Sequence, residues 1–391
     1  MTRLTIEQST TRPPRYPGVA EELDLDSWQD APHSQWAFAH VSELVPTATI
    51  GHRTRADSGV DALTALDGVA DLRAMLADSW TDAFLVQRDG RTIAEYYRPG
   101  FAPDDRHLLQ SVSKSICGIL VGTLVDDGLI DVGRTMASYV PELDGSAYGD
   151  ATVQQVLDMT VAVEYEEDYR NPESHMQAQD RIAGWRPRRD TDPADTYEFL
   201  RGLKANGMHG RRFQYCSADT DALAWLVEAV TRERYPVVLA ARVWERLRCA
   251  QDATITVDPS GFASANGGIS CTAADLARVG WLMLGGGTIE GRRIVSEEWV
   301  RQTMAGGDRD VARNLLIQRE YPRVSYRNQW WSTGNDRGNV YAVGIHGQYI
   351  WLDPQTGTVI VKFSSAPDPV SAAGNAIHAR LFSEVCSALQ D

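Results

Sequence analysis

The chain has 391 residues and a formal net charge of −15. This length can bury a large core and suggests two domains, or one large domain with an additional lobe. Nucleic-acid binding requires a basic surface, and the acidic sequence shows no basic patch, so a nucleic-acid partner is not expected. The only lysines are Lys114, Lys204 and Lys362. Each lysine merits attention, because lysine can lose its proton in a desolvated site and arginine cannot.

The cysteines and the apolar runs indicate the compartment. The five cysteines are an odd number without a Cys-x-x-Cys spacing, which argues against a disulfide framework or a structural zinc site. No His-Glu-x-x-His pattern supports a metal-dependent hydrolase. The apolar run over 116–125 is too short to cross a bilayer, and the first twenty residues lack a run of signal-peptide length. We therefore expect a cytoplasmic protein with no metal and no membrane partner.

Hydrophobic periodicity and turn residues predict the elements along the chain. In chain order they predict an irregular lead-in over 1–60, a helix over 62–76, a hairpin over 83–100 around Arg88-Asp89-Gly90, a buried helix over 111–127, a mainly helical stretch over 150–250, two or three strands in 340–365, and a helix over 370–388.

Strands near both ends and a helical middle predict an α+β fold. In this fold an antiparallel sheet is flanked by helices, and a mainly helical lobe is inserted into it. We expect residues 1–103 and 251–391 to form the α/β lobe with the sheet, and residues 104–250 to form the helical lobe. A cleft between two such lobes is a favoured place for a small-molecule site.

Ser111 and Lys114 form a Ser-x-x-Lys element at the predicted start of a helix. Residues three apart share a helix face, so the two side chains can touch. A serine hydroxyl needs a base to become a nucleophile, and Lys114 can act as one if burial lowers its pKa. The alternative is an N-capping serine followed by a surface lysine. Ser113 and Ser115 are competing hydroxyls, but neither has a lysine three residues later.

Tyr215 and Ser217 form a second element, which is predicted to lie on a loop before a helix over 218–230. A phenol near a lysine can carry a proton to or from a leaving group. The alternative is a packing tyrosine followed by an N-capping serine.

A third element is Gly344-Ile345-His346-Gly347-Gln348, which is predicted to lie within a strand. Glycines inside a strand allow a ligand to approach the backbone closely. If the strand is at an edge, it can offer an N–H to an acyl oxygen. The alternative is a bulge or a bend.

These three elements in this order resemble the serine β-lactamase and penicillin-binding-protein superfamily. The stretch GGISCTAADLARVGWLML looks like its class C and esterase branch. Further segments look more narrowly like the 6-aminohexanoate-dimer hydrolases, which cleave linear nylon oligomers. They are FAPDDRHLLQSVSKS (101–115), EDYRNPE (167–173), DRIAGWR (180–186), DPADTYEFL (192–200), FQYCSADTDALAWLVE (213–228), ATITVD (253–258), ANGGISCTA (265–273) and GIHGQYIWLDP (344–354).

The resemblance implies a β-lactamase/transpeptidase-like fold with its site in the cleft between the lobes. It implies no metal or organic cofactor, and a homodimer is a possible assembly. Ser111 would be the acylated nucleophile, Lys114 its base and Tyr215 the proton donor to the leaving amine. The backbone N–H groups of Ser111 and Ile345 would form the oxyanion hole.

The resemblance also implies a set of substrate contacts. Tyr169 and Trp185 would lie on a loop that closes over the substrate. Asp180 would hold a free ammonium group, and the remaining contacts would come from Ser217, Asn266 and His346.

The third element departs from the penicillin-interacting branch of the superfamily. Where those proteins have Lys-Thr-Gly, this chain has Ala342-Val343-Gly344 or, on another alignment, His346-Gly347-Gln348. The cation that would hold a β-lactam carboxylate is missing or only a histidine, which disfavours β-lactamase and D-alanyl-D-alanine peptidase activities. The oxyanion donor remains open between Ile345 and a neighbour.

The expected partner is therefore a small-molecule amide or ester. The leading hypothesis is a serine hydrolase that cleaves linear 6-aminohexanoate amides and also short-chain esters. One alternative is a carboxylesterase without significant amidase activity, and another is a non-catalytic binder with this fold. Asp180 discriminates between amidase and esterase, because its carboxylate can pair with a substrate ammonium. On the opposing interpretation it is a surface residue on an Arg-rich loop, paired with Arg181 or Arg186.

Overall fold

A computed structural model of the chain describes residues 25–50, 63–311 and 316–390. The described strands form a seven-stranded, a four-stranded and a two-stranded sheet. Together with the helices, these sheets confirm the predicted α+β class. The strands are β1 Thr47–Ile50, β2 Thr81–Arg88, β3 Arg91–Tyr97, β4 His107–Leu108, β5 Ala253–Thr256, β6 Ile269–Cys271, β7 Thr288–Ile289, β8 Arg292–Arg293, β9 Ser325–Arg327, β10 Trp330–Ser332, β11 Val340–Gly344, β12 Gln348–Asp353 and β13 Thr358–Ser364.

The helices predicted over 111–127, 218–230 and 370–388 are confirmed, and they span Val112–Asp126, Ser217–Thr231 and Ala372–Ala388. Short 3-10 segments occur at Leu63–Leu66, Met136–Ser138, Pro141–Leu143 and Leu316–Arg319, and a π-helical turn spans Ala240–Trp244. The α-helices are α1 Ser34–Ala37, α2 Val41–Leu44, α3 Leu72–Asp78, α4 Val112–Asp126, α5 Val153–Leu157, α6 His175–Ile182, α7 Thr196–Gly202, α8 Ser217–Thr231, α9 Tyr235–Leu239, α10 Glu245–Leu247, α11 Ala273–Leu284, α12 Glu297–Ala305 and α13 Ala372–Ala388.

The seven-stranded sheet has the order β3-β2-β13-β12-β11-β10-β9, and its neighbouring strands are antiparallel. It contains the predicted hairpin as β2 and β3, and the predicted C-terminal strands as β11 to β13. The smaller sheet has the order β1-β5-β6-β4. The division into lobes at residues 103 and 250 stays a prediction.

Strand β13 lies inside the large sheet, and its burial shows that both faces of the sheet are covered. Every residue of β13 is buried, and successive side chains point to opposite faces. Val359 and Val361 belong to the larger core cluster, which includes α11, whereas Ile360 belongs to a second cluster that includes α13. The β-branched residues of this strand are therefore buried on both faces, as suits a strand in the interior of a sheet.

Two predictions near the N-terminus are wrong in detail. The helix over 62–76 is interrupted, because Asp71 has a left-handed φ of 57° and α3 begins only after it. The lead-in over 1–60 is not irregular throughout, since β1 pairs with β5 and two short helices precede it. The rest of that lead-in, 1–24 and 51–60, lies outside the described residues.

The prediction that residues 344–348 lie within a strand is also wrong. Gly344 ends β11 and Gln348 begins β12, so residues 345–347 form the turn between them. His346 and Gly347 have φ values of 63° and 94°, which an extended strand cannot contain. In addition, β11 lies between β12 and β10 rather than at an edge.

Helix α4 is enclosed by the fold, and 13 of its 15 residues are buried. Its sequence is apolar on all sides, as expected for a helix without a solvent-facing stripe. Helix α8 packs against it. The described helices include none that is long and apolar enough to pass through a bilayer.

Gly344 brings the end of β11 against the segment that leads into α4. A Cβ at this position would lie 2.5 Å from the Leu109 carbonyl oxygen and 3.0 Å from the Ser111 nitrogen. The predicted close approach therefore occurs, but between two stretches of the chain's own backbone. A residue with a side chain would push the two stretches apart.

We expect Gly344→Ala to lower the free energy of unfolding by about 1–3 kcal/mol, the usual cost of overpacking. Chemical denaturation measures this change. The matched control is Gly202→Ala at the end of α7, where a Cβ would meet no atom within 4 Å. The control should be neutral or slightly stabilising. Equal effects of the two substitutions would contradict the packing argument.

Candidate active site

Ser111 and Lys114 are in contact at the start of α4. Ser111 occupies the N-cap position, but its hydroxyl makes no capping hydrogen bond. The Lys114 Nζ lies 2.8 Å from the Ser111 Oγ and donates a hydrogen bond to the Asn266 carbonyl oxygen at 2.6 Å. The competing hydroxyls of Ser113 and Ser115 instead hydrogen-bond to backbone groups of other segments.

Lys114 is not a surface lysine, since its side chain is 1% exposed. Burial lowers the pKa of the Lys114 amine, and the negative charges of Glu167 and Asp221 act in the opposite direction. A lowered pKa increases the fraction of neutral amine, which can accept the proton of the Ser111 hydroxyl. The geometry and the burial therefore suit a serine–lysine nucleophile.

Tyr215 lies beside this pair. Its ring centroid is 5.3 Å from the Lys114 Nζ, and the ring stacks on Trp331 with 6.0 Å between centroids. Burial and the charge of Glu167 raise the pKa of the Tyr215 phenol, and a hydrogen bond with the Ser111 hydroxyl lowers it. The phenol therefore stays protonated near neutral pH and can donate its proton to a group bound at Ser111.

The N–H groups of Ser111 and Ile345 are available as donors beside the Ser111 hydroxyl. Neither makes a backbone hydrogen bond within the described ranges, and both residues line one cavity. Unpaired N–H groups next to a nucleophile can stabilise a developing oxyanion. Ile345 acquires this position from the turn between β11 and β12 and not from an edge strand.

Two buried side chains hold that turn in place. The Gln348 amide donates to the carbonyls of Ile345 at 3.3 Å and Ser364 at 2.6 Å, and it accepts from the Ser364 N–H at 3.1 Å. The His346 Nδ1 lies 2.7 Å from the Ala366 carbonyl oxygen. Burial lowers the pKa of His346 to about 4, so the ring is neutral at physiological pH. His346 therefore supplies no cation to the site.

Asn266 contacts Lys114 through its backbone and Asp221 through its side chain. The Asn266 amide donates to Asp221 Oδ2 at 2.7 Å, and its N–H donates to Asp221 Oδ1 at 3.1 Å. Burial raises the pKa of Asp221 to about 6. Sequence reasoning missed Asp221, which is one of three acidic residues in helix α8 and is not distinguished from Asp219 or Glu228 by any local pattern.

Glu167 is a second residue that sequence reasoning missed. Its carboxylate accepts hydrogen bonds from the Ser217 N–H at 2.8 Å, the Ser217 hydroxyl at 2.7 Å and the Tyr169 hydroxyl at 2.9 Å. Ser217 is the first residue of α8 rather than a loop residue. Glu167 lines the same cavity as Ser111. The segment EDYRNPE that carries the family resemblance begins with this residue.

Asp180 lies in helix α6 and not on a loop as predicted. It is only 6% exposed, which excludes the surface interpretation, and its Oδ2 lies 3.3 Å from the Arg186 Nε. Arg181 pairs with Asp192 instead. Burial raises the pKa of Asp180 to about 6, and the charge of Arg186 acts in the opposite direction. Asp180 is therefore largely ionised at neutral pH.

Tyr169 precedes α6 in the sequence, and Trp185 follows it. Trp185 is 3% exposed, and its Nε1 donates to Thr256 Oγ1 at 3.0 Å. Tyr169 is half-buried and lies on the segment before the helix. A closing motion of these residues stays a prediction.

The structure brings the predicted site residues together around Ser111. A small recess beside the hydroxyl is lined by Ser111, Tyr169, Asp180, Trp185, Ser217, Asn266 and Ile345. A larger cavity of about 410 Å³ is lined by Ser111, Glu167, Tyr169, Tyr215 and Ile345, with further apolar residues. His346 lines a third cavity with Asp180 and Tyr169. Within the described ranges, no group of His, Cys, Asp and Glu residues is arranged to hold a metal ion.

Comparisons with known proteins identify relatives of the chain. The β-lactamase family model matches residues 72–384. A 6-aminohexanoate-dimer hydrolase from Paenarthrobacter ureafaciens is 53% identical over 382 residues, which cover 96% of this chain and 97% of that protein. The resemblance predicted from the sequence is therefore confirmed.

Solved structures confirm the predicted β-lactamase/transpeptidase-like fold. A Bacillus anthracis protein with a provisional 6-aminohexanoate-dimer hydrolase name has a TM-score of 0.85 and 26% identity, covering 95% of this chain and 98% of its own. A family VIII carboxylesterase has a TM-score of 0.59 and 14% identity, covering 83% of this chain and 98% of its own.

We expect a fluorophosphonate probe to add once to the protein, at Ser111, because this hydroxyl contacts a buried lysine amine and also lines the cavity. The Ser364 hydroxyl contacts the Lys362 amine, but Ser364 is fully buried and out of reach of the probe. Intact-mass spectrometry and peptide mapping measure the adduct. Lys114→Met should slow labelling by about 10²-fold or more, the usual contribution of a general base. The control Ser138→Ala removes an exposed hydroxyl and should change nothing. Labelling that persists in Ser111→Ala would exclude this site.

Proposed function

The chain belongs to the β-lactamase family and is a serine hydrolase, and from this premise we propose that it cleaves the amide bond of short linear 6-aminohexanoate oligomers through an acyl-enzyme. Short-chain esters are its second substrate class. The observation that carries the proposal is the buried Lys114 amine, 2.8 Å from the Ser111 hydroxyl. A serine–lysine pair in this position provides both a nucleophile and its base.

The mechanism begins with attack by the Ser111 Oγ on the substrate carbonyl carbon. Lys114 accepts the hydroxyl proton, with Tyr215 close enough to relay it. The N–H groups of Ser111 and Ile345 stabilise the oxyanion of the tetrahedral intermediate. The protonated Tyr215 then donates to the leaving amine and regains a proton from Lys114. In the second half of the reaction a water molecule gives a proton to the Lys114 and Tyr215 pair as it attacks the acyl carbon, and the pair returns that proton to the Ser111 oxygen as the acid leaves.

Asp180 supports an amidase that recognises a free amino group. A linear 6-aminohexanoate amide carries an ammonium group at the far end of its acyl chain, and a buried carboxylate pairs strongly with such a cation. Asp180 shares the recess beside Ser111 with Asn266 and Trp185. Arg186 neutralises part of the carboxylate in the absence of substrate. The relative named as a 6-aminohexanoate-dimer hydrolase supports the same substrate class.

A carboxylesterase without amidase activity is the second candidate. The pairing of Arg186 with Asp180 favours it, because a permanent guanidinium partner would leave no charge for a substrate ammonium. The amidase predicts that Asp180 lowers KM for the amide but not for the ester. The plain esterase predicts the same effect of Asp180 on both substrates.

We expect Ser111→Ala to abolish hydrolysis of both the linear 6-aminohexanoate dimer and a short p-nitrophenyl ester. Lys114→Arg should lower kcat by about 10²-fold or more, because arginine retains its proton and cannot act as a base. Intact-mass spectrometry after a rapid quench should show the acyl adduct in the native protein. Hydrolysis retained by Ser111→Ala would disprove the mechanism, and an adduct that never hydrolyses would indicate a non-catalytic binder.

The ionisation of Asp180 should appear in the pH dependence of the amide reaction. Since its pKa is raised to about 6, Asp180 gains a proton as the pH falls from 7 to 5 and then no longer attracts an ammonium group. We expect KM for the dimer to rise over this range relative to KM for an uncharged ester. Steady-state kinetics with both substrates measure the ratio.

Asp180→Asn should raise KM for the dimer by about tenfold, the value of a charge-assisted hydrogen bond. It should also remove the pH dependence of the ratio and leave the ester unaffected. Equal losses for amide and ester would support the plain esterase.

A further inference from the structure

The larger cavity beside Ser111 is predominantly apolar and aromatic. Tyr215, Trp331 and Tyr341 stack in succession along one wall, with centroid distances of 6.0 and 6.2 Å. The face of α13 that carries Gly374 and His378 also lines the cavity. The volume of about 410 Å³ is sufficient for one half of a small substrate.

The position of Tyr215 indicates which half of a substrate this cavity receives. Tyr215 is the proton donor to the leaving group in the proposed mechanism, and it lines the large cavity but not the recess that contains Asp180. The leaving amine or alcohol is therefore assigned to the large cavity, and the acyl half to the side of Ser111 that faces Asp180. The recess on that side has a volume of only about 10 Å³, so it must widen to accept the acyl chain. Ser111 and Ile345 line both spaces, as expected for the point where the scissile bond lies.

The charges around the large cavity do not suit an anion. Among the described residues that line it, none is lysine or arginine, whereas Glu167 and Asp368 are acidic. Burial lowers the pKa of His378 well below its usual value, so this ring is neutral. Asp368 forms an ion pair with Arg170, which does not itself line the cavity. A free carboxylate on the leaving group would lose hydration here without gaining a cationic partner.

We propose that this cavity is a leaving-group subsite for an uncharged, aryl-bearing amine or alcohol. The proposal rests on the proposed function. It implies that 6-aminohexanoyl amides of arylalkyl amines are better substrates than the linear dimer, whose leaving half ends in a carboxylate. An aryl group can pack against the Tyr215, Trp331 and Tyr341 stack, and such contacts exceed those of an alkyl chain of the same length.

The test keeps the 6-aminohexanoyl group constant and varies the leaving amine in two matched pairs. The first pair is 6-aminohexanoate and 6-aminohexanamide, which differ only in charge. The second pair is 4-cyclohexylbutylamine and 4-phenylbutylamine, which share one carbon skeleton and differ in the aromaticity of the ring. We expect kcat/KM to be about tenfold higher for the amide-capped member of the first pair. The aryl member of the second pair should exceed the alkyl member by about twofold to tenfold.

A substitution at the cavity mouth tests the same subsite with one fixed pair of substrates. Differences in the reactivity of the two substrates then cancel between the native protein and the variant. Val370 lines the cavity and is 47% exposed. We divide kcat/KM for the substrate with the carboxylate by kcat/KM for the amide-capped substrate. Val370→Arg should raise this ratio by about tenfold, because the arginine supplies a cation for the carboxylate. Val370→Gln, of similar length and without charge, should leave the ratio unchanged.

Two outcomes would overturn the subsite. They are a native enzyme that prefers the carboxylate member and a ratio that Val370→Arg does not alter. Each of these leaves the proposed hydrolysis intact. If no member of the set is cleaved in a Ser111-dependent reaction, the proposed function itself fails.

Discussion

An ammonium group buried as deeply as the Lys114 side chain would lose its hydration and gain little in return, since its two close neighbours are a hydroxyl and a carbonyl oxygen. This desolvation cost favours the neutral amine, and the rest of the site depends on that balance. Helix α4 supplies the apolar surroundings because it is enclosed on all sides. The negative charges of Glu167 and Asp221 raise the pKa of the amine, whereas desolvation lowers it. The pKa therefore depends on the balance of these two effects.

Glycine contacts bring the distant parts of the site to Ser111. Gly344 places β11 against the backbone before α4, and Gly267 places the Asn266 segment against Gln110 and Trp185. Because backbone meets backbone at these points, small shifts of one segment move the donors and acceptors of another. The oxyanion donors and the carbonyl that holds Lys114 are backbone groups of this kind. Their positions therefore depend on packing more than on the identity of neighbouring side chains.

The sequence could predict the site where local periodicity decides the geometry, as in the helical spacing of Ser111 and Lys114. It could not predict the turn at Ile345, because an apolar run around two glycines does not reveal the sign of φ. Asp180 was assigned to a loop because its Arg-rich surroundings masked a helix with a buried face. The bond between Glu167 and Ser217 joins residues fifty positions apart, and no local pattern indicates such a pair.

The scarcity of lysine has a consequence for the surface of the molecule. Lys114 and Lys362 are both fully enclosed, and the side chain of Lys204 is exposed. An amine-directed reagent such as an activated ester therefore finds one lysine side chain in solvent. Lys204 therefore competes for the reagent only with the terminal α-amine of the chain, and arginine provides the rest of the positive surface without reacting.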